Sequence, residues 1–266
     1  MELRQRALEV LCLTDPADKA SAARALLQAA RQGAPLDTVR VLQPPPSLPG
    51  RPARPLLVPP DKVPRRSPFT PEGRAALLHA IAHIEFNAIN LALDAAWRFP
   101  GRPDADSLDW LRVAGEEALH FTLLREHLLG LQRDYGDFEA HDGLWSMTDK
   151  TRHDIVARMA LVPRTLEARG LDATPPIQAK LARAGDRRAV EILDIILRDE
   201  IGHVAVGNHW YAWLCARDGL DPVRHYRILS ERHAAPRLKP PFNRPARLAA
   251  GFSEAELAQL QDTSDP

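Results

Sequence analysis

Apolar positions recur at helical spacing along most of the chain, and the strict alternation of a half-buried strand is nearly absent. The clearest stripe is Leu78, Ile81, Ala82, Glu85, Ala88, Ile89 and Ala92. It is an i, i+3, i+4, i+7 series that sets one carboxylate, Glu85, among apolar side chains. Thr70, Pro71 and Glu72 give this helix an N-cap, a first-turn proline and a first-turn acid, and Pro100-Gly101 closes it. A second helix is expected from Asp104–Ser107 to Tyr135-Gly136, and a third from near Thr148 to just before Arg169-Gly170. After Thr174-Pro175-Pro176 comes a helical stretch that Ala184–Asp186 interrupts, and a fourth long helix runs from Asp186 to a stop at Gly219.

The expected fold class is all-α: a four-helix bundle over 71–219, an N-terminal helical segment over 1–42 split at Asp15-Pro16, and a proline-rich strap over 43–70. Proline at that density cannot continue a helix or sit centrally in a sheet, so the strap is expected to be extended. Residues 220–266 read as an irregular tail packing on the bundle, where Ser253 to Glu256 has capping-box spacing and opens a last short helix.

Lysine plus arginine and aspartate plus glutamate number 35 each among 266 residues, so nothing global argues for nucleic acid or an anionic membrane. The strap alone gathers a basic group: Arg51, Arg54, Lys62, Arg65 and Arg66. Two cysteines, Cys12 and Cys215, make no disulfide framework and suit a reducing compartment. The opening MELRQRALEVLCLTD carries charge too early for a signal peptide, and no apolar run approaches the ~20 residues a membrane span needs. The expected location is the cytoplasm.

A buried carboxylate must be neutralised, paired or bound to a metal. Glu85 has company. Glu117 and His120 lie three apart on the second helix, among Trp110, Val113, Phe121, Leu124 and Leu128, and Glu200 and His203 repeat the spacing on the fourth. Two Glu-x-x-His pairs on two helices, with one glutamate from each of the other two, is the ligand pattern of carboxylate-bridged di-metal bundles. Glu85 supplies the first single glutamate and Glu167 the other. Glu85 to Glu117 spans 32 residues (117 − 85) and Glu167 to Glu200 spans 33 (200 − 167), so the two halves match.

In the first half the chain climbs about 21 Å from Glu85 to Phe99 and descends about 17 Å from Asp106 to Glu117, at ~1.5 Å per residue. In the second, Glu167 falls near its helix end, and closure requires a bent connection from Leu171 to Asp186. Carboxylates bridge hard cations, and imidazole suits iron. Six protein ligands around two ions leave positions open for dioxygen or water. Glu116 and Asp199, one before each Glu-x-x-His glutamate, are expected to reach the outer nitrogen of a liganding histidine. Gly207 is expected to leave room for substrate or oxygen to enter, and Pro163 to start or kink the helix that carries Glu167. His79, His83 and His127 read as structural histidines, and Trp97, Trp110, Trp210, Tyr211 and Cys215 as packing residues.

HIEFNAINLALDAAWRF (83–99), GEEALHF (115–121), RMALVPRTLEARGLD (158–172), RDEIGHVAVGNHWY (198–211) and KPPFNRPARLAAGF (239–252) together resemble the ferritin-like proteins of domain-of-unknown-function family 455. The resemblance implies a ferritin-like four-helix bundle with a di-iron centre, manganese or a mixed pair being possible. Its ligands would be Glu85, Glu117, His120, Glu167, Glu200 and His203. It implies no substrate.

A more distant similarity is to di-iron tRNA hydroxylases and bacterial multicomponent monooxygenases, which share the ligand order. The expected function is a di-iron oxidoreductase that activates dioxygen or peroxide to oxidise an organic substrate, acting as monomer or dimer. Reductant would come from outside, since the chain has no flavin or iron–sulfur motif. The alternatives are an iron-handling ferroxidase, a tRNA-modifying hydroxylase, to which only the basic strap gives footing, and a non-catalytic bundle with a polar network.

Overall fold

The structure is a computed structural model that describes residues 1–262, and it is helical. Strand-like pairing among the described residues is an isolated parallel bridge between Leu57 and Ala140. The chain forms two compact units. One comprises Met1–Trp145 and Arg183–Ile192, and the other Ser146–Ala182 and the chain from Leu193 onward.

In the first unit, α1 (Leu3–Cys12) and α2 (Pro16–Arg31) precede the strap, and α3 (Pro71–Arg98) and α4 (Asp104–Gly130) follow it. The split at Asp15-Pro16 is physical: the Asp15 carboxylate accepts from the Ala17 and Asp18 amides, and Pro16 opens α2. Thr70 caps α3 by accepting from the Gly73 amide at 3.1 Å. From Glu85 to Trp97 every residue of α3 is buried, so the helix needs partners on all sides. It finds them in α4, α1 and α2. By length and composition α3 is apolar enough to cross a membrane, with a window of mean hydropathy 1.3, contrary to the expectation that no such run exists. Yet 78% of that window is buried inside the protein, as befits a core helix.

Helix α4 stops at Gly130, short of the expected Tyr135-Gly136. The Leu131 amide bonds back to His127 and Leu128, and Gln132 takes a left-handed φ of 58° that ends the helix. Gly115 on α4 lets α2 come close, since a Cβ there would meet Leu27 Cδ2 at 2.5 Å.

Two buried basic side chains tie the periphery to α3. Arg4 donates to the carbonyls of Asp37, Arg40 and Trp97, and Lys19 Nζ donates to the Gly50 carbonyl and Asn90 Oδ1, each at 2.7 Å. Burial pushes the Lys19 amine down to about 7. The strap is largely extended, with a 3-10 turn at Pro60–Lys62 and a second turn at Pro68-Phe69 closed by the Thr70 amide on the Ser67 carbonyl. It is fastened by Gly50 N to Leu11 O (2.9 Å), by Val58 N to Ala140 O (2.8 Å) and by the Arg51–Asp142 ion pair (2.7 Å).

The second unit departs most from expectation. In place of one helix from Thr148 to Arg169, the chain runs through α5 (Gly143–Lys150), α6 (Ile155–Leu161), a π-helical turn (Val162–Glu167) and α7 (Ala168–Arg183). Asp154 restarts the helix by accepting from the Ala157 amide at 2.9 Å. Pro163 has no N–H and its ring crowds the preceding turn, so the helix widens there by one residue. No break occurs at Gly170. Even Pro175 and Pro176 lie inside α7, where Pro175 cannot bond to the Leu171 carbonyl. The Asn243 side-chain amide takes that carbonyl instead, at 3.1 Å.

The bent connection is therefore unnecessary. Glu167 to Arg183 rises about 24 Å, and α8 (Arg187–Asp218) returns about 20 Å by Glu200. Ala168 and Leu171 accordingly share one core cluster with Val204, Leu197 and Ile201 of α8.

The tail is also more ordered than expected: α9 (Pro222–Arg232), α10 (Arg244–Ala249) and α11 (Glu254–Asp262) fill it. Caps from Asp221 and Asn243 start the first two. At α11 the expected capping box forms, with Ser253 and Glu256 exchanging hydrogen bonds. Arg247 clamps α10 to α7 through a bidentate pair with Asp172. The last four positions of the tail lie outside the described residues.

Candidate metal centre

Glu85 on α3 and Glu117 and His120 on α4 converge in the first unit, all three buried. His120 Nδ1 lies 3.1 Å from Glu85 Oε2 and 3.3 Å from Glu117 Oε2. Each of the three offers a ligand atom within 4.8 Å of the others, a buried carboxylate–histidine cluster that could hold a metal ion. The helices position it as their patterns require. Glu117 and His120 share a face because they are three apart, and Glu85 meets them because α3 and α4 pack along their lengths. Phe86 and Phe121, next to Glu85 and His120 in the chain, pack on each other at 5.3 Å between ring centroids and both on Tyr135.

The electrostatics fit a cation site. Burial first, and the facing Glu117 carboxylate second, push the Glu85 carboxyl up to about 7, while His120 opposes them. Two carboxylates this close in a dry site resist ionising together unless a proton or cation joins them. A set of two hard oxygens and one imidazole suits iron or manganese.

The second unit carries the other expected ligands. Glu200 and His203 sit one turn apart on α8, both buried, with Glu200 Oε1 3.7 Å from His203 Nδ1. Glu200 Oε2 is buried without a hydrogen-bond partner among the described residues, a costly state for an anionic oxygen. Glu167 is half-buried and ends the π turn.

Glu116 takes an ion pair from Arg112 at 2.9 Å and Asp199 one from Arg198 at 2.8 Å. Gly207 is not an open doorway. A Cβ there would meet Pro163 Cβ at 2.5 Å, so the missing side chain accommodates the proline ring of the π turn. The structural histidines behave as such. His127 bonds to Asp186 at 2.9 Å, His79 accepts from the Gly136 amide at 2.9 Å, and His83 Nδ1 meets the Tyr135 hydroxyl at 2.9 Å. Burial pushes His79 and His83 down to about 4. Arg164 is a residue that sequence alone does not single out: its partners come from segments remote in the chain, and its one local signal is its position beside Pro163.

The family model described as "Protein of unknown function (DUF455)" matches residues 12–258. An uncharacterized protein of Haemophilus influenzae is 58% identical over 214 residues, spanning 77% of this chain and 74% of that protein. No solved structure matches. With nearly the whole described fold inside the matched span, the chain belongs to the DUF455 family.

Proposed function

We propose that the chain is a ferritin-like di-metal oxidoreductase in which Glu85, Glu117, His120, Glu167, Glu200 and His203 hold two transition ions, iron first and manganese as the alternative. The observation that carries this reading is the buried Glu85–Glu117–His120 cluster, where two acids and an imidazole share a space too dry for their own charge. The Glu200 oxygen left without a hydrogen bond fits the same reading, since a metal ion would satisfy it. When bound, the ions would supply a reducible centre able to pass electrons to dioxygen.

The chain's own residues do the rest. His120 and His203 offer neutral nitrogen, and the four glutamates offer negative charge to offset two cations. Glu116 and Asp199 would orient the imidazoles from outside, as acids beside liganding histidines do. Electrons would arrive from an external donor.

Protein purified without chelator should carry about two iron or manganese ions per chain, as the six-ligand pattern requires, and after reduction it should consume oxygen with transient visible absorption. Glu117→Ala and Glu200→Ala should lose both metal and oxygen consumption. A wild-type protein that takes up no transition metal after reconstitution would leave a polar network in a non-catalytic bundle as the reading.

A further inference from the structure

We infer that Arg164, caged by the C-terminal segment, is a positioning residue that fixes the π turn and thereby aims Glu167 at the metal centre. The inference rests on the di-metal reading for Glu167 and on the second unit alone for its geometry.

A π turn adds one residue to the helix, and one residue is about 100° of rotation at 3.6 per turn. Whether Val162–Glu167 is π or α therefore decides which way Glu167 faces. Such a turn is rare inside an α-helical run and must be held. Pro163 opens it and seats its ring against Gly207 of α8. The next residue closes the grip. The Arg164 side chain is buried, yet it extends away from its own helix. Nη1 donates to Asn208 Oδ1 on α8 at 2.6 Å, and Nη2 pairs with Glu256 Oε1 at the start of α11. The guanidinium lies over three rings, 4.7 Å from Phe252, 5.3 Å from Tyr211 and 5.5 Å from Tyr226.

Every member of the cage is itself tied down. Asn208 donates to the Ala250 carbonyl at 2.6 Å, Tyr211 to the Pro222 carbonyl at 2.7 Å, and the Tyr226 hydroxyl meets Thr165 Oγ1 at 2.9 Å. Glu256 is held by the Ser253 amide and hydroxyl. Burial alone would raise the Glu256 carboxyl, but Arg164 and the Ser253 bonds bring it below the usual range, so it remains an anion facing the guanidinium. A buried guanidinium with two fixed acceptors and three aromatic faces is far more than solubility or helix formation demands. Its one structural consequence is to lock α8, α9 and α11 onto the turn that ends in Glu167.

The test loads the full-length protein with Mn(II) and reads two quantities: ions bound per chain by metal analysis, and the paramagnetic resonance signal of a spin-coupled pair against that of isolated ions. Arg164→Lys keeps the charge and loses the planar fork, and Glu256→Gln keeps the shape and loses the charge. Arg158→Lys is the control. Arg158 is likewise a buried arginine, bonded to the Thr148 carbonyl at 2.6 Å and Thr151 Oγ1 at 2.9 Å, ahead of the π turn.

Arg164→Lys and Glu256→Gln should weaken the second ion by roughly 10–100-fold, the usual effect of removing a residue that orients a ligand. The coupled signal should give way to that of isolated ions while far-ultraviolet circular dichroism is kept. Arg158→Lys should lose stability and retain the pair. If Arg164→Lys fails to fold, Glu256→Gln decides. A full coupled pair in that variant, or loss of the pair in Arg158→Lys as well, overturns the positioning role. Wild-type protein that binds no Mn(II) overturns the metal centre itself, a different result.

Discussion

Glu85→Gln turns the buried acid pair into a measurable stability difference. In the folded, metal-free protein the Glu85 carboxyl is pushed up to about 7 by burial and by Glu117, from an ordinary value of 4.5. Its folded pKa is raised, so its contribution to stability is fully present below about 4.5 and is lost as the pH rises through about 7. The interval is about 2.5 units, and at 1.36 kcal/mol per unit the loss is about 3 kcal/mol. Glutamine keeps the shape and cannot ionise.

Urea unfolding of chelator-treated wild type and Glu85→Gln at pH 5 and at pH 8 isolates this group, because titrations common to both proteins cancel. The variant should gain about 2 to 3 kcal/mol relative to wild type between the two pH values, part of the full loss lying below pH 5, while its metal binding falls away. A stability difference that is the same at pH 5 and pH 8 would show that Glu85 is already paired or solvated, and the electrostatic case for a cation site would collapse.

Metal at one hundred times its dissociation constant should stabilise wild type by about 2.7 kcal/mol, which is roughly 5–10 °C in melting temperature for a chain of this size, and calorimetry with Glu117→Ala should show no such shift. Lys19→Met should become less stable relative to wild type as the pH rises from 7 to 10. The folded pKa of the amine is lowered to about 7, so wild-type stability rises over that window; parallel pH profiles by denaturant titration would count against a buried, depressed amine. Gly207→Ala should lose up to about 2 kcal/mol in urea unfolding, since overpacking against the Pro163 ring outweighs the roughly 1 kcal/mol of helix propensity that alanine gains. A more stable variant would mean that the close approach is not there.

Much of the helical layout was legible because its signals are local. Thr70-Pro71 caps α3, Asp15-Pro16 splits α1 from α2, and Glu117 and His120 share a face by spacing alone. What escaped was set by partners distant in sequence. Pro175 reads as a helix start until Asn243, 72 residues beyond Leu171, takes the Leu171 carbonyl that the proline cannot bond. Gly207 reads as an opening until the Pro163 ring fills it. Arg164 carries no local signal, because Asn208, Glu256 and three rings close around it from far along the chain. The π turn has no periodic signature at all, since a single extra residue shifts the pattern by less than a local reading resolves.

The burial of α3 on every side bears on how the chain can be made. A rod this greasy is a hazard whenever it stands uncovered during synthesis. Its first wrappings, α1 and α2, leave the ribosome ahead of it, and Arg4 and Lys19 are ready to latch onto the Trp97 carbonyl and Asn90 when those residues emerge. The opening forty residues thus act as a built-in escort, and a shortened chain that begins at the strap should gather into aggregates before α4 can shelter the rod.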